Sequence, residues 1–235
     1  MSRTYVLVHG DWYGGWVWRD VAPALREMGH AVSSPTRTGV GERKHLLSPE
    51  VDLDTHVEDI VAHIEMEDLS DVVLVGWSSG GMVISGVLAR IQERIASMVY
   101  FDAFLPERGK PQVDYIEPAI AGGLKEFIAN EEPVPPIIPL EVFGVHDKAT
   151  VDFVAPRLTP QPFRTFTQPS SALAERPSTI PHTYIRCTGF NLPSFDGFLS
   201  QAQADPAFDT AIIDSGHLAM LTAPEMSVEV LASVA

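Results

Sequence analysis

The stretch Gly76-Trp77-Ser78-Ser79-Gly80 sets serine between glycines directly after the apolar run Val72-Val73-Leu74-Val75. A G-x-S-x-G pattern has mechanical meaning at a strand-to-helix junction, where a sharp turn lifts the serine hydroxyl above the end of the strand. Ser78 is therefore the candidate nucleophile. A phosphate-cradling loop would need Lys-Ser or Lys-Thr after the glycines, and neither follows.

A serine hydroxyl needs a base to take its proton. Among eight histidines, His217 in Asp214-Ser215-Gly216-His217-Leu218 follows the last strand-like run and comes after Ser78 in chain order. It is the candidate base. The turn His9-Gly10-Asp11 ends the first strand-like run, where backbone N–H groups can point at the same reactive edge. Acyl transfer needs such donors around the developing oxyanion, and the N–H groups of Asp11 and Ser79 are the candidates.

These residues require a framework that brings several strand ends together. Tyr5-Val6-Leu7-Val8-His9 reads as a buried strand, and Trp16 to Met28 carries apolar residues at helical spacing. Ala31 to Ser34 is a weaker strand. Asp54 to Leu69 is amphipathic, with Asp54 or Thr55 expected as its N-cap. A strand at 72–75, a helix from Gly80 to Ile91 and a strand from Ile95 to Phe101 follow. Such alternation predicts an α/β fold, a mostly parallel sheet of about six strands with helices on both faces.

The pattern breaks after Leu105. Prolines crowd the stretch that follows, as in Glu132-Pro133-Val134-Pro135-Pro136, and Ile116, Ile120, Leu124, Phe127, Ile128, Val142 and Phe143 give it more apolar surface than a solvated loop carries. The expected division is a core at 1–105 and 180–235 with an inserted lid at 106–179. The core pattern resumes with a strand at His182 to Cys187, a helix from Phe195 to Ala204, a strand at Thr210 to Ile213 and a closing helix from Pro224 to Val234.

Composition narrows the range of partners. The chain has 235 residues, with 16 Lys and Arg against 31 Asp and Glu, for a formal charge of -15. That sign repels nucleic-acid backbones and anionic lipid, so neither is expected as a partner. The single cysteine, Cys187, cannot form an internal disulfide, and Cys/His metal spacings are absent. With neither a signal-type segment nor an 18-residue apolar run, the expectation is a soluble cytoplasmic protein, compatible with a homodimer.

The chain resembles the α/β-hydrolases, and within them the group of small esterases and hydroxynitrile lyases that includes plant methyl esterases and their bacterial relatives. The resemblance rests on Val6-Leu7-Val8-His9-Gly10, Gly14-Gly15-Trp16, Thr38-Gly39-Val40-Gly41-Glu42-Arg43, Val75 to Met82, Phe101-Asp102-Ala103-Phe104-Leu105-Pro106 and Gly216-His217-Leu218-Ala219-Met220-Leu221. It implies a Ser-His-acid triad, no cofactor, no metal, and a lid-lined pocket for a small-molecule ester. Trp12, Trp77 and Phe104 are expected to line that pocket.

Three positions depart from the group. Trp77 stands where relatives usually carry His. No carboxylate follows the Tyr184 to Cys187 strand, where the plant enzymes take their acid; Thr188-Gly189-Phe190-Asn191 stands there. Asp102 matches superfamily members that draw the acid from the preceding core strand, with Asp196, Asp214 or no acid at all as alternatives. Asp11 replaces a small residue beside the oxyanion site.

The activity expected is hydrolysis of a carboxylic ester of a small or medium hydrophobic substrate through an acyl-enzyme. The alternatives are a cofactor-free lyase or oxygenase of the same fold, or a non-catalytic ligand-binding protein. A lyase of this group carries Lys after the histidine, and here Leu218 follows His217.

Overall fold

A computed structural model describes residues 2–234. In chain order the elements are β1 (Thr4–Val8), α1 (Val21–Glu27), β2 (Ala31–Ser33), α2 (Leu53–Met66), β3 (Val72–Ser78), α3 (Gly80–Ile91), β4 (Ile95–Ala103), α4 (Pro118–Ala129), α5 (Lys148–Val154), α6 (Arg164–Thr167), β5 (His182–Cys187), α7 (Pro193–Ala204), β6 (Phe208–Ile213), α8 (Ala219–Thr222) and α9 (Pro224–Ser233). The six strands form one sheet in the order β2-β1-β3-β4-β5-β6, and every pairing is parallel. This is the six-stranded parallel α/β sheet expected from the alternating pattern.

Parallel strands covered on both faces must be apolar throughout, and β1 and β3 are buried along almost their full length. The strand order reverses between β1 and β3. Right-handed crossovers therefore send helices to opposite faces from that point, and a crevice opens at the carboxyl ends of the two strands. On one side α2 packs on α3; elsewhere α1 packs on α9.

Two local expectations are corrected. The stretch from Trp16 to Met28 is not one helix: a 3-10 turn covers Gly15–Trp18 and α1 starts at Val21. Pro23 lacks an N–H to donate, so it is accommodated only in a first turn, and the helix begins two residues before it. The N-cap of α2 is Asp52, not Asp54 or Thr55. Its carboxylate accepts from the Thr55 N–H at 2.9 Å while Thr55 Oγ1 reaches back, a reciprocal cap.

The connection from β4 to β5 lies over the core. Leu124, Val134, Val145, Phe163 and Phe166 are buried in it, whereas Val142 is exposed. Trp12, at the end of β1, fastens this connection: its indole N–H donates to Val134 O at 3.0 Å, its backbone N–H to Gln161 Oε1 at 3.1 Å, and its carbonyl accepts from Thr159 N–H at 3.0 Å. Among the described residues no helix is long and apolar enough to cross a membrane.

Candidate active site

Ser78 is the last residue of β3 and has φ +55°. A non-glycine residue in the left-handed region is uncommon and concentrates at functional sites. The turn is tight enough that a Cβ on Gly80 would lie 2.7 Å from Val8 O. A Cβ on Gly10 would likewise lie 2.8 Å from Ser78 Cβ, so the turn after β1 touches the turn after β3. The expected oxyanion donors, the N–H groups of Asp11 and Ser79, belong to these two adjoining turns.

Asp102 is set by an irregularity in the sheet. Along β3 and β4 the register runs Trp77 to Phe101 and then Ser78 to Ala103, so Asp102 is the extra, unpaired residue. Its φ is +42°. Bulges of this kind turn a side chain out of the regular alternation. Here the buried carboxylate reaches His217: Nδ1–H donates to Asp102 Oδ2 at 2.6 Å. That bond leaves Nε2 of the imidazole as an acceptor, the form a general base needs.

The other oxygen of Asp102 is also satisfied. Oδ1 accepts from Arg186 Nη1 at 2.9 Å and from the Cys187 N–H at 3.0 Å. Arg186 also bonds the carbonyls of Cys187 and Phe190, and it bridges to Asp196 at 2.9 Å. The pairing with Asp102 and Asp196 raises the Arg186 pKa against the effect of burial. Asp196, with its side chain 62% exposed, meets the arginine and not the imidazole. Asp214 bonds Thr188. Of the three carboxylates considered from sequence, only Asp102 contacts His217.

Backbone contacts hold His217 from two sides. Its N–H donates to Phe143 O at 2.8 Å, and its carbonyl accepts from Trp77 Nε1 at 2.8 Å. The rings of Phe190, Trp77, Phe143 and Phe195 surround the imidazole with centroids 4.4 to 5.6 Å away. Such faces favour an imidazolium as it forms.

Ser78 and His217 line one cavity with Asp11, Trp12, Phe104, Gln112 and a set of apolar side chains from the β4–β5 connection and α7. The hydrogen bond from Ser78 Oγ to the imidazole is not formed in this arrangement, and geometry of this kind tightens as substrate binds. Trp12 and Phe104 line the cavity as expected. Trp77 does not. Its indole is buried under the elbow, edge-on to Tyr13 at 4.9 Å, and it acts on His217 from below. A ring only 1% exposed cannot also face substrate.

Sequence reasoning missed Arg186, Arg37 and Gln112. Arg186 had a signal, a cation inside the otherwise strand-like run His182 to Cys187. Arg37 is buried and donates from Nη2 to Gly10 O at 2.8 Å and to Ser79 Oγ at 3.4 Å. Burial lowers its pKa to about 10, so it remains a cation at neutral pH. Gln112 donates from Nε2 to Asp11 Oδ2 at 2.6 Å. Among the described residues no group of three or more His, Cys, Asp or Glu side chains could hold a metal ion.

The fold and this constellation define a class. The model of the alpha/beta hydrolase family matches residues 5–230, and the chain belongs to that family. A carbendazim-hydrolyzing esterase from Nocardioides sp. is 38% identical over 244 residues, covering 98% of both chains. Salicylic acid-binding protein 2 of Nicotiana tabacum is 33% identical over 110 residues, which is 45% of this chain and 41% of that protein. Among solved structures, an extracellular alpha/beta-hydrolase from a Paenibacillus species superposes with a TM-score of 0.83 at 24% identity, covering 99% of this chain and 98% of that one. A mutant of polyneuridine aldehyde esterase does so with 0.78 at 18% identity over the whole of both chains. These last two likenesses speak to the fold.

Proposed function

We propose that this protein hydrolyses carboxylic esters through an acyl-enzyme on Ser78, with His217 as base and Asp102 as the acid that orients it. The ester-hydrolase class is that of its full-length relative from Nocardioides; what is carried over is the ester chemistry, not that enzyme's compound. The observation that carries the assignment of residues is the 2.6 Å bond between buried Asp102 and His217, in a cavity that Ser78 shares.

In this reading Ser78 Oγ attacks the ester carbonyl as His217 Nε2 takes its proton. Asp102 stabilises the imidazolium and keeps Nδ1 protonated. The N–H groups of Asp11 and Ser79 hold the oxyanion, a contribution of about 2.7–4 kcal/mol per donor in comparable sites. The imidazolium then gives its proton to the departing alcohol. Water, activated by the same imidazole, releases the acid and frees Ser78.

The lining favours a small or medium hydrophobic substrate. Phe104, Phe143, Phe166, Phe190 and Phe195 give it aromatic walls, with Asp11, Ser78, Gln112 and His217 as its polar lining. The segment 106–179 serves as the cap over this cavity. A fluorophosphonate probe tests the proposal: one label per chain is expected on Ser78 and none on Ser78→Ala. Folded wild-type protein that takes no label would refute the acyl-enzyme.

A further inference from the structure

Arg37 stands in the loop after β2 and is only 1% exposed. Its guanidinium meets the turns that follow both neighbouring strands: Nη2 donates to Gly10 O at 2.8 Å, after β1, and to Ser79 Oγ at 3.4 Å, after β3. Its backbone N–H donates to His9 Nε2 at 3.1 Å, while His9 Nδ1–H donates to Gly10 O at 2.8 Å. A carbonyl only accepts and a backbone N–H only donates, so the His9 ring is the neutral tautomer protonated on Nδ1. The loop is tied on both sides of Arg37. Thr36 Oγ1 accepts from the Gly15 N–H at 2.7 Å, and Asp59 accepts from the Thr38 N–H at 2.6 Å and from Arg43 at 3.1 Å.

A trans peptide directs its C=O and the following N–H to opposite sides of one rigid plane. Two donors on Gly10 O therefore aim the Asp11 N–H the other way, and Asp11 lines the cavity with Ser78. Among the described residues neither the Asp11 nor the Ser79 N–H donates to another backbone group. One buried cation thus holds both turns whose N–H groups are free for an oxyanion. Packing alone does not account for a cation here. Arg37 Nε has no partner in the protein, a penalty that an apolar side chain of the same size would avoid. Arg37 and Asp11 also balance each other, since each charge favours the ionised form of the other against burial. The carboxylate beside the oxyanion site is therefore not a lone negative charge.

We propose that Arg37 is a positioning residue for the oxyanion site: by fixing the Gly10–Asp11 peptide and the Ser79 side chain from one point, it holds the Asp11 and Ser79 N–H groups at the spacing a tetrahedral oxyanion requires. The inference rests on the acyl-enzyme reading and on these two donors. Arg37 does not line the cavity, so it acts on the reaction only through the two turns. Its effect belongs to the transition state, because a charged oxygen gains more from aligned donors than the ground-state carbonyl does.

Two inhibitors separate this role from general packing. An aryl trifluoromethyl ketone takes Ser78 Oγ onto its carbonyl carbon and places an oxyanion in the site; the corresponding trifluoromethyl carbinol fills the same cavity without one. Arg37→Met and Arg37→Lys should each lower kcat by about 10²-fold, the effect of losing one oxyanion donor, with KM for an aryl ester held within about threefold. Lysine keeps the charge, but its ammonium ends short of the Nη2 position and lacks the guanidinium fork. Ki for the ketone should rise by the factor that kcat/KM falls, and Ki for the carbinol should stay within about threefold. Should Arg37→Met not fold because Asp11 is stranded, Arg37→Met combined with Asp11→Ala removes both charges and keeps both N–H groups, and the same pattern is expected of it. Near-wild-type kcat in the folded variants, or equal weakening of ketone and carbinol, would overturn the positioning role; wild type that still labels at Ser78 would leave the esterase reading intact. Wild type that neither takes the fluorophosphonate label nor cleaves the ester would overturn both.

Discussion

Asp102 and Arg186 form a buried ion pair, with Nη1 2.9 Å from Oδ1, on the carboxylate oxygen that His217 does not use. The acid thus has one oxygen for the imidazole and one for a fixed cation. Because Arg186 is also tied to the Phe190 and Cys187 carbonyls, the carboxylate plane is held from β5 while the acid itself comes from β4.

Asp102→Asn should lower kcat by about 10⁴, since an amide cannot hold the imidazole in the required tautomer and stabilise its cation. Asp196→Asn should change it by no more than about threefold, because that side chain is largely exposed and meets only the arginine. Steady-state kinetics on one aryl ester suffices. Comparable losses in the two variants would contradict the assignment.

Replacing Arg186 tests stability more than chemistry. Arg186→Met strands a buried carboxylate, which typically costs about 3–5 kcal/mol and at this chain length lowers Tm by roughly 10 °C. Arg186→Lys keeps the charge and should lose less, because only the contacts beyond Asp102 disappear. Calorimetry of both variants, showing the methionine protein clearly less stable than the lysine protein, is the expected order.

Trp77→Phe keeps an aromatic ring against Tyr13 and His217 but removes the donor to His217 O. A buried carbonyl losing its donor costs about 1–3 kcal/mol. Since the bond also fixes the loop that carries the base, kcat should fall while KM for a small ester stays near the wild-type value. A change confined to KM would mean that the ring faces substrate after all.

Acid should destabilise the fold through His9 and His56. Both are buried, and burial together with the Arg37 charge holds their pKa values well below 6.5. Above pH 6.5 folded and unfolded chains carry these rings neutral alike. As pH falls below 6.5 only the unfolded chain takes up the two protons, so stability is lost from that point downward, approaching about 1.4 kcal/mol per pH unit for each ring. Urea unfolding at pH 7.5 and pH 5.5 should show the decline, and an unchanged unfolding free energy would contradict it.

Much of this molecule was legible in its residues. The alternation of buried-type strands with amphipathic helices predicts the parallel sheet, because each element's periodicity is local and answers to its own two faces. Gly76 to Gly80 announces the elbow for the same reason: the turn is made by those five residues and needs little from elsewhere. His217 could be chosen by its place after the last strand. The apolar surplus between Leu105 and Ser178 marked a segment that had to cover something.

What the sequence could not decide depends on how distant strands and loops meet. Asp102 becomes the partner of His217 through a slip of one residue between β3 and β4, and a register shift leaves no trace in composition. The cation behind it arrives from β5, 84 residues further along the chain. Trp77 faces inward because the space beneath the elbow lies next to Tyr13 and the His217 loop. On the sequence Asp11 stands out only as a carboxylate where a small residue is usual. In the folded chain Gln112, 101 residues away, donates to one of its oxygens, and the residue is buried. Local patterns settled which elements form, and only long-range packing decided which side chains meet, because those contacts are closed by tertiary geometry and not by spacing along the chain.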